Sequence, residues 1–219
     1  YDIYRHDYGD RITGTTTALT SNSGATNLFD ANFFVLTTAR NVYKCLDNDN
    51  NTASTVEPTG TSTTVLSTAD GYKWKYMYTL SASQQANFLS TDFMAVETNS
   101  TVSSAAVDGA IDVVKIKTAG TGGSNGTHTG IAIRGDGSNG QVSVTVAGGV
   151  VTAVTVTNAG TGYTFGTISN AQIVAAGATS LSGAELDVII PPKGGHGKNA
   201  IEELGGFYVM MNTSLEGTE

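Results

Sequence analysis

The chain has 219 residues, a net charge of −8 and charged side chains at only 14% of positions, against about 25% in typical globular domains. Such an acidic surface is not expected to bind nucleic acid or anionic membranes, which need clustered lysine and arginine. Cys45 is the one cysteine, so it cannot pair within the chain, and one thiol does not make a metal site. The 27 glycines favour short strands joined by tight turns, a composition that also suits extracellular and virion proteins.

The first part of the chain is predicted to be irregular with short strands. The stretches "FFVL" (Phe33–Leu36) and "NVYKCL" (Asn41–Leu46) are rich in β-branched and aromatic residues, which favour strands. Residues 47–69 are almost all Asp, Asn, Thr, Ser, Gly and Pro. We predict a long polar loop there, and loops of this length are usually functional or mobile.

The stretch "DGYKWKYMYTL" (Asp70–Leu80) contains the only tryptophan, and from Tyr72 every second residue is large. Strict alternation predicts a half-buried strand with one aromatic face and one solvated face. Stacked aromatic rings could bind a sugar. We favour a role in the core or in a subunit contact, because large aromatic side chains are more often buried.

A helix-capping signal and a further strand follow this region. Ser81 with Gln84 three residues later has the form of a capping box, which predicts a short helix over residues 82–89. "DFMAVET" (Asp92–Thr98) is predicted to be a strand.

Near the end, a strand is predicted at Leu186–Ile190. Asn199 with Glu202 predicts the start of a helix of roughly one turn that ends at Gly205. "FYVMMN" (207–212) is predicted to be a final strand.

An internal repeat lies between these regions. "VKIKTAGTG" (Val114–Gly122) returns 40 residues later as "VTVTNAGTG" (Val154–Gly162). Between the copies, a hairpin is predicted around Gly148-Gly149, which can adopt positive φ. We interpret residues 104–180 as an inserted all-β repeat module whose copies share one core. Residues 1–103 together with 181–219 form the other domain, so the fold class is mainly β, of the β-rich α+β type, with antiparallel sheets and a few short helices.

Two stretches could support catalysis. Gly122–Gly126 matches the G-x-S-x-G pattern around Ser124, with His128 nearby. A nucleophile elbow needs a helix after the turn, whereas "THTGIAI" predicts a strand. "RHDYGD" (5–10) holds a histidine and two aspartates, which we interpret as a surface ion-pair cluster.

No metal, phosphate or cofactor site is predicted. "KGGHGKN" (193–199) lacks two of the four fixed positions of a phosphate loop. "DNDNN" (47–51) lacks the glycine and the glutamate of an EF-hand loop. The three histidines, His6, His128 and His196, are far apart in the sequence. We therefore expect no catalytic residue, no metal and no cofactor, and a protein that is not an enzyme.

Several motifs in a fixed order resemble one family. They are "HDYGD", "VYKCLDN", a polar loop with "VEP", "DGYKWKYMYTL" and, near the end, "GHGKNAIEELGGFYVMMNTSLEG". Their order and spacing are similar to those of the baseplate wedge subunit, the product of gene eight, of T-even-like contractile-tailed bacteriophages. The likeness covers residues 4–98 and 187–219, and residues 104–180 have no counterpart in it.

The resemblance implies a structural virion protein of the phage tail baseplate, assembled in the host cytoplasm, without catalytic residues or a required cofactor. It implies a homodimer that docks on other baseplate wedge proteins, and a family chain that extends beyond both ends of this one. The structural or interface candidates are the positions that match the family motifs, with Tyr78 of the aromatic strand added: Tyr43, Cys45, Leu46, Asp47, Gly71, Tyr72, Trp74, Tyr76 and Tyr78.

A second interpretation belongs to another class of protein. The chain could be a carbohydrate-binding or adhesion module of a tail or secreted protein, which uses the aromatic strand or the glycine-rich loops. We favour the wedge interpretation over glycan binding, and an enzyme is the third choice.

Overall fold

The computed structural model describes residues 2–5, 11–13, 33–49, 52, 54–90, 93–215 and 217. The chain divides into two compact units: the first is Tyr1–Ala105 with Asn199–Glu219, and the second is Ala106–Lys198. The described part is mainly β, with several antiparallel sheets and four short helices, as the sequence predicts.

The first unit contains one six-stranded sheet. Its strands are β1 (Asp2–Arg5), β2 (Arg11–Thr13), β3 (Phe33–Leu36), β4 (Asn41–Asp47), β5 (Leu66–Ser67) and β6 (Lys73–Thr79). They lie in the order β2-β1-β3-β4-β6-β5, and all neighbours are antiparallel. The predicted strands at 33–36 and 41–46 are confirmed. Among its described residues, the long polar stretch after β4 contributes only β5 to the sheet.

An extra residue interrupts the pairing of β4 with β6. Val42 pairs with Tyr78 and the next residue, Tyr43, pairs with Tyr76, so Met77 is the extra residue of a β-bulge. A bulge inverts the alternation of side chains along its strand. Tyr78 therefore faces the opposite side of the sheet from Tyr76, although the two are two residues apart.

A second bulge lies in β4. Cys45 pairs with Trp74, whereas Asp47 pairs with Lys73, so Leu46 is the extra residue. The two bulges are on opposite strands and compensate each other. As a result, β4 and β6 have equal lengths of 7 residues.

Both faces of the strands β3, β4 and β6 are buried, which corrects the prediction of one solvated face. Lys75 and Met77, expected in solvent, are only 6% and 0% exposed. One face carries the Trp74 cluster: Phe33, Val35, Tyr43, Cys45, Tyr72, Trp74, Tyr76 and Val102. The other carries the Met77 cluster: Phe34, Leu36, Val42, Met77, Tyr78, Leu80, Ala200 and Leu204. Residues from outside the sheet cover each face, so neither needs water.

Short helices provide part of that cover. The first unit holds α1 (Ala82–Phe88), α2 (Ser100–Ala105) and α4 (Ala200–Glu203). Ser81 and Gln84 form the predicted capping box at the start of α1. The Asn199 side chain accepts a hydrogen bond from the N–H of Glu202 at the start of α4, which confirms the second predicted cap. Val102 of α2 belongs to the Trp74 cluster and Ala200 of α4 to the Met77 cluster.

Two predicted strands do not form in the described residues. Residues 93–98 and 207–212 are irregular, so both predictions were wrong. The first segment packs Met94, Ala95 and Val96 against the Met77 cluster. This segment therefore covers the sheet with its side chains and forms no strand in it. Alternation of residue types along a sequence does not distinguish these two arrangements.

The second unit contains seven strands and one helix: β7 (Val113–Thr121), β8 (Gly126–Ala132), β9 (Arg134–Gly135), β10 (Gln141–Ala147), β11 (Val150–Asn158), β12 (Gly166–Thr167), α3 (Asn170–Ala175) and β13 (Ser182–Ile189). The sheets are β11-β10-β8, β12-β9 and β13-β7. The hairpin of β10 and β11 turns at Gly148 and Gly149, with φ of 62° and 82°, which confirms the predicted turn.

One core joins the two copies of the sequence repeat. Val114 and Val154 are buried in the same cluster, and Ile116 and Val156 pack against it. Residues 181–198 belong to this unit, because β13 pairs with β7 along its length. The sequence interpretation had assigned these residues to the first domain. The helix α3 was not predicted, although it begins with a capping box of Ser169 and Gln172.

The second unit begins and ends at one place. The Gly194 N–H donates to Oδ1 of Asp108 at 2.5 Å. At Gly195, a Cβ atom would come within 2.3 Å of the Val107 carbonyl oxygen. The chain therefore enters and leaves this unit at neighbouring points.

Candidate functional site

The aromatic strand lies inside the first unit. The Trp74 side chain is fully buried. Its ring stacks with Phe33, at a centroid distance of 6.2 Å, and with Tyr72, at 5.3 Å. Among the described residues, no atom accepts a hydrogen bond from its indole Nε1–H. With both ring faces covered by protein, Trp74 offers no surface on which a sugar ring could stack.

Two buried tyrosines anchor the polar loop to the sheet. The Tyr43 hydroxyl donates to the carbonyl oxygen of Gly60, and the Tyr72 hydroxyl donates to that of Thr52. Burial raises the pKa of Tyr43, more than the hydrogen bond with Asn41 lowers it. Both hydroxyls act as hydrogen-bond donors that fix the loop.

The other two tyrosines of the run also use their hydroxyls inside the unit. Tyr76 Oη and Thr79 Oγ1 lie 2.7 Å apart. The Tyr78 hydroxyl donates to the carbonyl oxygen of Ala95 at 2.8 Å. All four rings thus have an apolar body in the core and a satisfied polar tip.

The remaining sequence-predicted candidates are Cys45, Leu46, Asp47 and Gly71, and each has a role within the fold of the first unit. Cys45 is buried and its thiol donates to the carbonyl oxygen of Asp47. Leu46 is the buried bulge residue, and Asp47 lies 3.5 Å from the Lys73 ammonium. Gly71 is exposed in a turn with φ of 85°. Eight of the nine candidates are therefore buried in this chain.

Asp70 is a site residue that the sequence interpretation did not single out. Its carboxylate accepts hydrogen bonds from Ser54 Oγ, Thr55 N and Val56 N at 2.9, 2.8 and 3.0 Å, and from Thr68 Oγ1. Partial burial alone would raise the pKa of Asp70, but these donors outweigh it and lower the pKa to about 2. The signal was its position before Gly71, since aspartate before glycine is typical of a turn that uses the carboxylate.

The G-x-S-x-G match does not assemble a nucleophile with a base. Ser124 Oγ pairs with Thr179. His128 Nε2 lies 3.1 Å from the Ser124 main-chain oxygen. The segment after the match is the strand β8, as expected from its sequence, so the backbone also lacks the strand-to-helix turn of an elbow.

The other motifs bring no ligand set together in the part of the chain that the structure describes. No group of three His, Cys, Asp or Glu side chains there could hold a metal ion. His196 of "KGGHGKN" is buried. Residues 6–10 of "RHDYGD", with His6, and Asn50 and Asn51 of "DNDNN" lie outside the described residues. None of the described helices has the length and apolarity to cross a membrane.

Most of the exposed large apolar side chains among the described residues of the first unit follow α4. They form the exposed apolar segment, defined by these side chains and their exposed fractions: Phe207 67%, Tyr208 81%, Val209 91%, Met210 41%, Met211 85% and Leu215 90%. Tyr208 contacts Phe93 edge-on, with 6.1 Å between the centroids, and Asn212 Nδ2 donates to the Asn87 carbonyl oxygen. The sequence interpretation predicted a strand there and missed this exposure.

The composition of the exposed apolar segment is that of a protein contact surface. Aromatic residues and methionine are enriched where proteins meet, and contiguous exposed apolar patches usually mark interaction sites. Phe93 and Ile201, themselves 47% and 42% exposed, lie in the same unit. The arrangement can bury apolar area against a partner, and it presents no reactive group.

Comparison with protein-family models, with curated proteins and with solved structures found no match to this chain.

Proposed function

We propose that this chain is a structural component of a phage tail baseplate wedge, which works through contacts with a second copy of itself and with other wedge proteins in the virion. The observation that carries the proposal is the exposed apolar segment of the first unit. Five of its six side chains are at least 67% exposed. Burial of this apolar area against a partner protein is favourable, because water solvates it poorly.

The burial of the family-like motifs supports the same function. In "VYKCLD" and "GYKWKYMY" the large apolar side chains other than Leu46 fill the Trp74 and Met77 clusters. A sheet filled from both faces is rigid, as expected of a part that neighbours dock against. The motifs that carry the resemblance therefore have a structural use in this chain.

The glycan-binding alternative has less support in the geometry. Trp74, Tyr72, Tyr76 and Tyr78 were the aromatic residues offered for sugar stacking, and all are buried. In the second unit one large aromatic side chain, Phe165, is prominently exposed among the described residues. A glycan array on the whole chain tests this alternative, and tight, specific sugar binding would favour it.

The self-association part is tested with surface variants. Tyr208→Ser combined with Val209→Ser and Met211→Ser removes three of the four most exposed side chains of the segment without touching a core cluster. We expect the dissociation constant of the dimer, measured by sedimentation equilibrium, to rise at least about tenfold, equivalent to about 1.4 kcal/mol. At a concentration at which both proteins are monomeric, the thermal midpoint should not change.

Phe165→Ser is the matched control, because Phe165 is also exposed but belongs to the second unit. It should leave the dissociation constant unchanged. Equal association of the triple variant and the parent would contradict the proposed contact. Immunogold labelling of virus particles that carry this chain tests the location, and label away from the baseplate would contradict the wedge assignment.

A further inference from the structure

The sequence repeat of the second unit is also a repeat of strand pairing. Lys117 is the extra residue where β7 pairs with β13, and Thr157, 40 positions later, is the extra residue where β11 pairs with β10. The pairs on either side of each bulge are equivalent: Ile116 with Leu186 and Thr118 with Glu185, then Val156 with Val142 and Asn158 with Gln141. Composition alone does not fix a register or a bulge, so the repeat extends to the second strand of each ladder.

The tertiary contacts of the repeated glycines are also equivalent in the two copies of the repeat. Gly120 and Gly160 have φ of 67° and 64°. Gly120 packs against the backbone of Ser182 and Ala184 in the second half, and Gly160 packs against that of Ser138 and Gly140 in the first. Ser182 lies 44 positions after Ser138, and Ala184 lies 44 positions after Gly140, so the two sets of contacts are equivalent. Likewise, Gly123 N–H donates to the Gly149 oxygen, as Tyr163 N–H does to the Gly109 oxygen.

The two halves of the unit exchange strands. In the first half, residues 106–147, β7 pairs with β13 of the second half, residues 150–198. In the second half, β11 pairs with β10 of the first, and the short strands β9 and β12 pair across the halves as well. Each half thus completes the sheet of the other, and the peptide that joins them is the Gly148-Gly149 turn.

We infer that the second unit is a strand-exchanged duplication, and that Gly148-Gly149 is a hinge through which two copies of this chain exchange everything after the turn. If the turn opens, β10 and β11 continue as one strand that pairs antiparallel with the same strand of the second copy. The three ladders that join a strand before the turn to a strand after it, β10 with β11, β9 with β12 and β7 with β13, then form between chains, whereas the β8 and β10 ladder stays within each chain. The docking of α4 on the sheet of the first unit also becomes a contact between chains. This inference does not depend on the baseplate proposal.

The balance between the closed and the exchanged form depends on the turn and on protein concentration. A two-residue turn with positive φ at both positions suits Gly-Gly or Asn-Gly, whereas β-branched residues avoid positive φ and favour extended backbone. Exchange of identical elements is a route to dimers that needs no new interface. Gly148→Val with Gly149→Val should therefore favour the exchanged form.

A disulfide between paired strands reports which form is present. Ser143 and Thr155 are directly paired across β10 and β11, and neither is buried. With Ser143→Cys and Thr155→Cys, oxidation gives a bond within one chain in the closed form and a bond between chains in the exchanged form. A dimer that associates only through the exposed apolar segment still gives the bond within one chain, so the two proposals fail separately.

The expected result is a disulfide-linked pair of chains as the main product of the valine variant, on a denaturing gel without reductant, after free thiols are blocked. The cysteine pair with the natural turn, and with Gly148→Asn as matched control, should give mainly the bond within one chain. A valine variant that melts cooperatively and forms only the bond within one chain would overturn the inference.

Should the valine variant not fold, the natural turn supplies the readout. The cysteine-pair protein is refolded from denaturant at low and at high protein concentration and then oxidised. We expect the share of chains linked to one another to rise with concentration. A share that stays the same at both concentrations would equally overturn the inference.

Discussion

The Nζ atom of Lys44 lies 2.9 Å from Oε1 of Glu203, although 159 residues separate the two in the chain. Their side chains are only 14% and 3% exposed. The pair joins β4 to α4 within the first unit, on the sheet face that the Met77 cluster covers. A charge pair in that position holds the last helix in one register against the sheet.

Breaking this pair should destabilise the first unit, because the remaining charge would be buried without its partner. We expect Glu203→Gln to lower the free energy of unfolding by about 3 kcal/mol. In a double-mutant cycle with Lys44→Met, the coupling energy should be at least about 1 kcal/mol. Urea unfolding followed by fluorescence of Trp74, the only tryptophan, gives these values.

The control for this cycle is the exposed pair of Lys117 and Glu185, 3.3 Å apart with side chains 60% and 59% exposed. Its coupling energy should lie below about 1 kcal/mol, because water screens both charges. Equal coupling in the two cycles would contradict the role of burial at Lys44 and Glu203.

Truncation of Trp74 should unfold the first unit more readily. We expect Trp74→Ala to cost about 3–5 kcal/mol, as large-to-small changes in a packed core do. Trp74→Phe should cost less than half as much, because it keeps a ring and removes an indole N–H that has no partner among the described residues. Circular dichroism during urea unfolding measures both. A Trp74→Ala variant that melts like the parent and loses only association would show that Trp74 is an interface residue.

The hydrogen bonds to Asp70 should make stability depend on acid pH. The pKa of Asp70 is about 2 in the folded chain against 3.8 for the ordinary group. The carboxylate therefore stabilises the fold above about pH 4, and this contribution is lost as the pH falls towards about 2. At neutral pH, we expect Asp70→Asn to destabilise the chain by about 2 kcal/mol.

The difference between Asp70→Asn and the parent should shrink as the pH falls through that range, in urea unfolding at several pH values. Thr68→Val removes one donor and keeps the carboxylate. At neutral pH, the free energy of unfolding of this variant should therefore lie between those of the parent and of Asp70→Asn. A difference that is the same at neutral and at acid pH would contradict the prediction.

Removal of the second unit should leave the first unit folded. Each unit has its own core, and the second begins and ends at one place, where Gly194 N–H bonds to Asp108. We expect a chain in which a short Gly-Ser linker replaces residues 106–198 to unfold cooperatively, with the Trp74 fluorescence of the parent. Loss of the cooperative transition would show that the first unit needs the second to fold.

Local features of this fold were predictable because their signals are local. The capping residues Ser81 and Asn199 and the Gly148-Gly149 turn satisfy backbone groups within a few residues, so short patterns identify them. The mainly β class followed from the same patterns. The capping box at Ser169 was equally visible, and α3 was missed because the surrounding glycines suggested only strands.

Features that depend on distant partners were not predictable. Alternation in "GYKWKYMY" predicted one solvated face, yet the bulge at Met77 and the cover from α2 and α4 bury both. Residues 93–98 and 207–212 have the residue types of strands but find no ladder partner among the described residues. The boundary at 180 was placed too early because nothing local in β13 shows that it pairs with β7. Exposure of the apolar segment is likewise a property of the folded unit.

The paired bulges at Leu46 and Met77 restrict how β4 and β6 can evolve. Loss of either residue alone would shift one strand by a single step and exchange the side chains that face the Trp74 cluster with those that face the Met77 cluster, whereas loss of both restores the match. Insertions and deletions in relatives of this chain should therefore occur in the two strands together, and an alignment with a lone gap in one of them would be misplaced by one position.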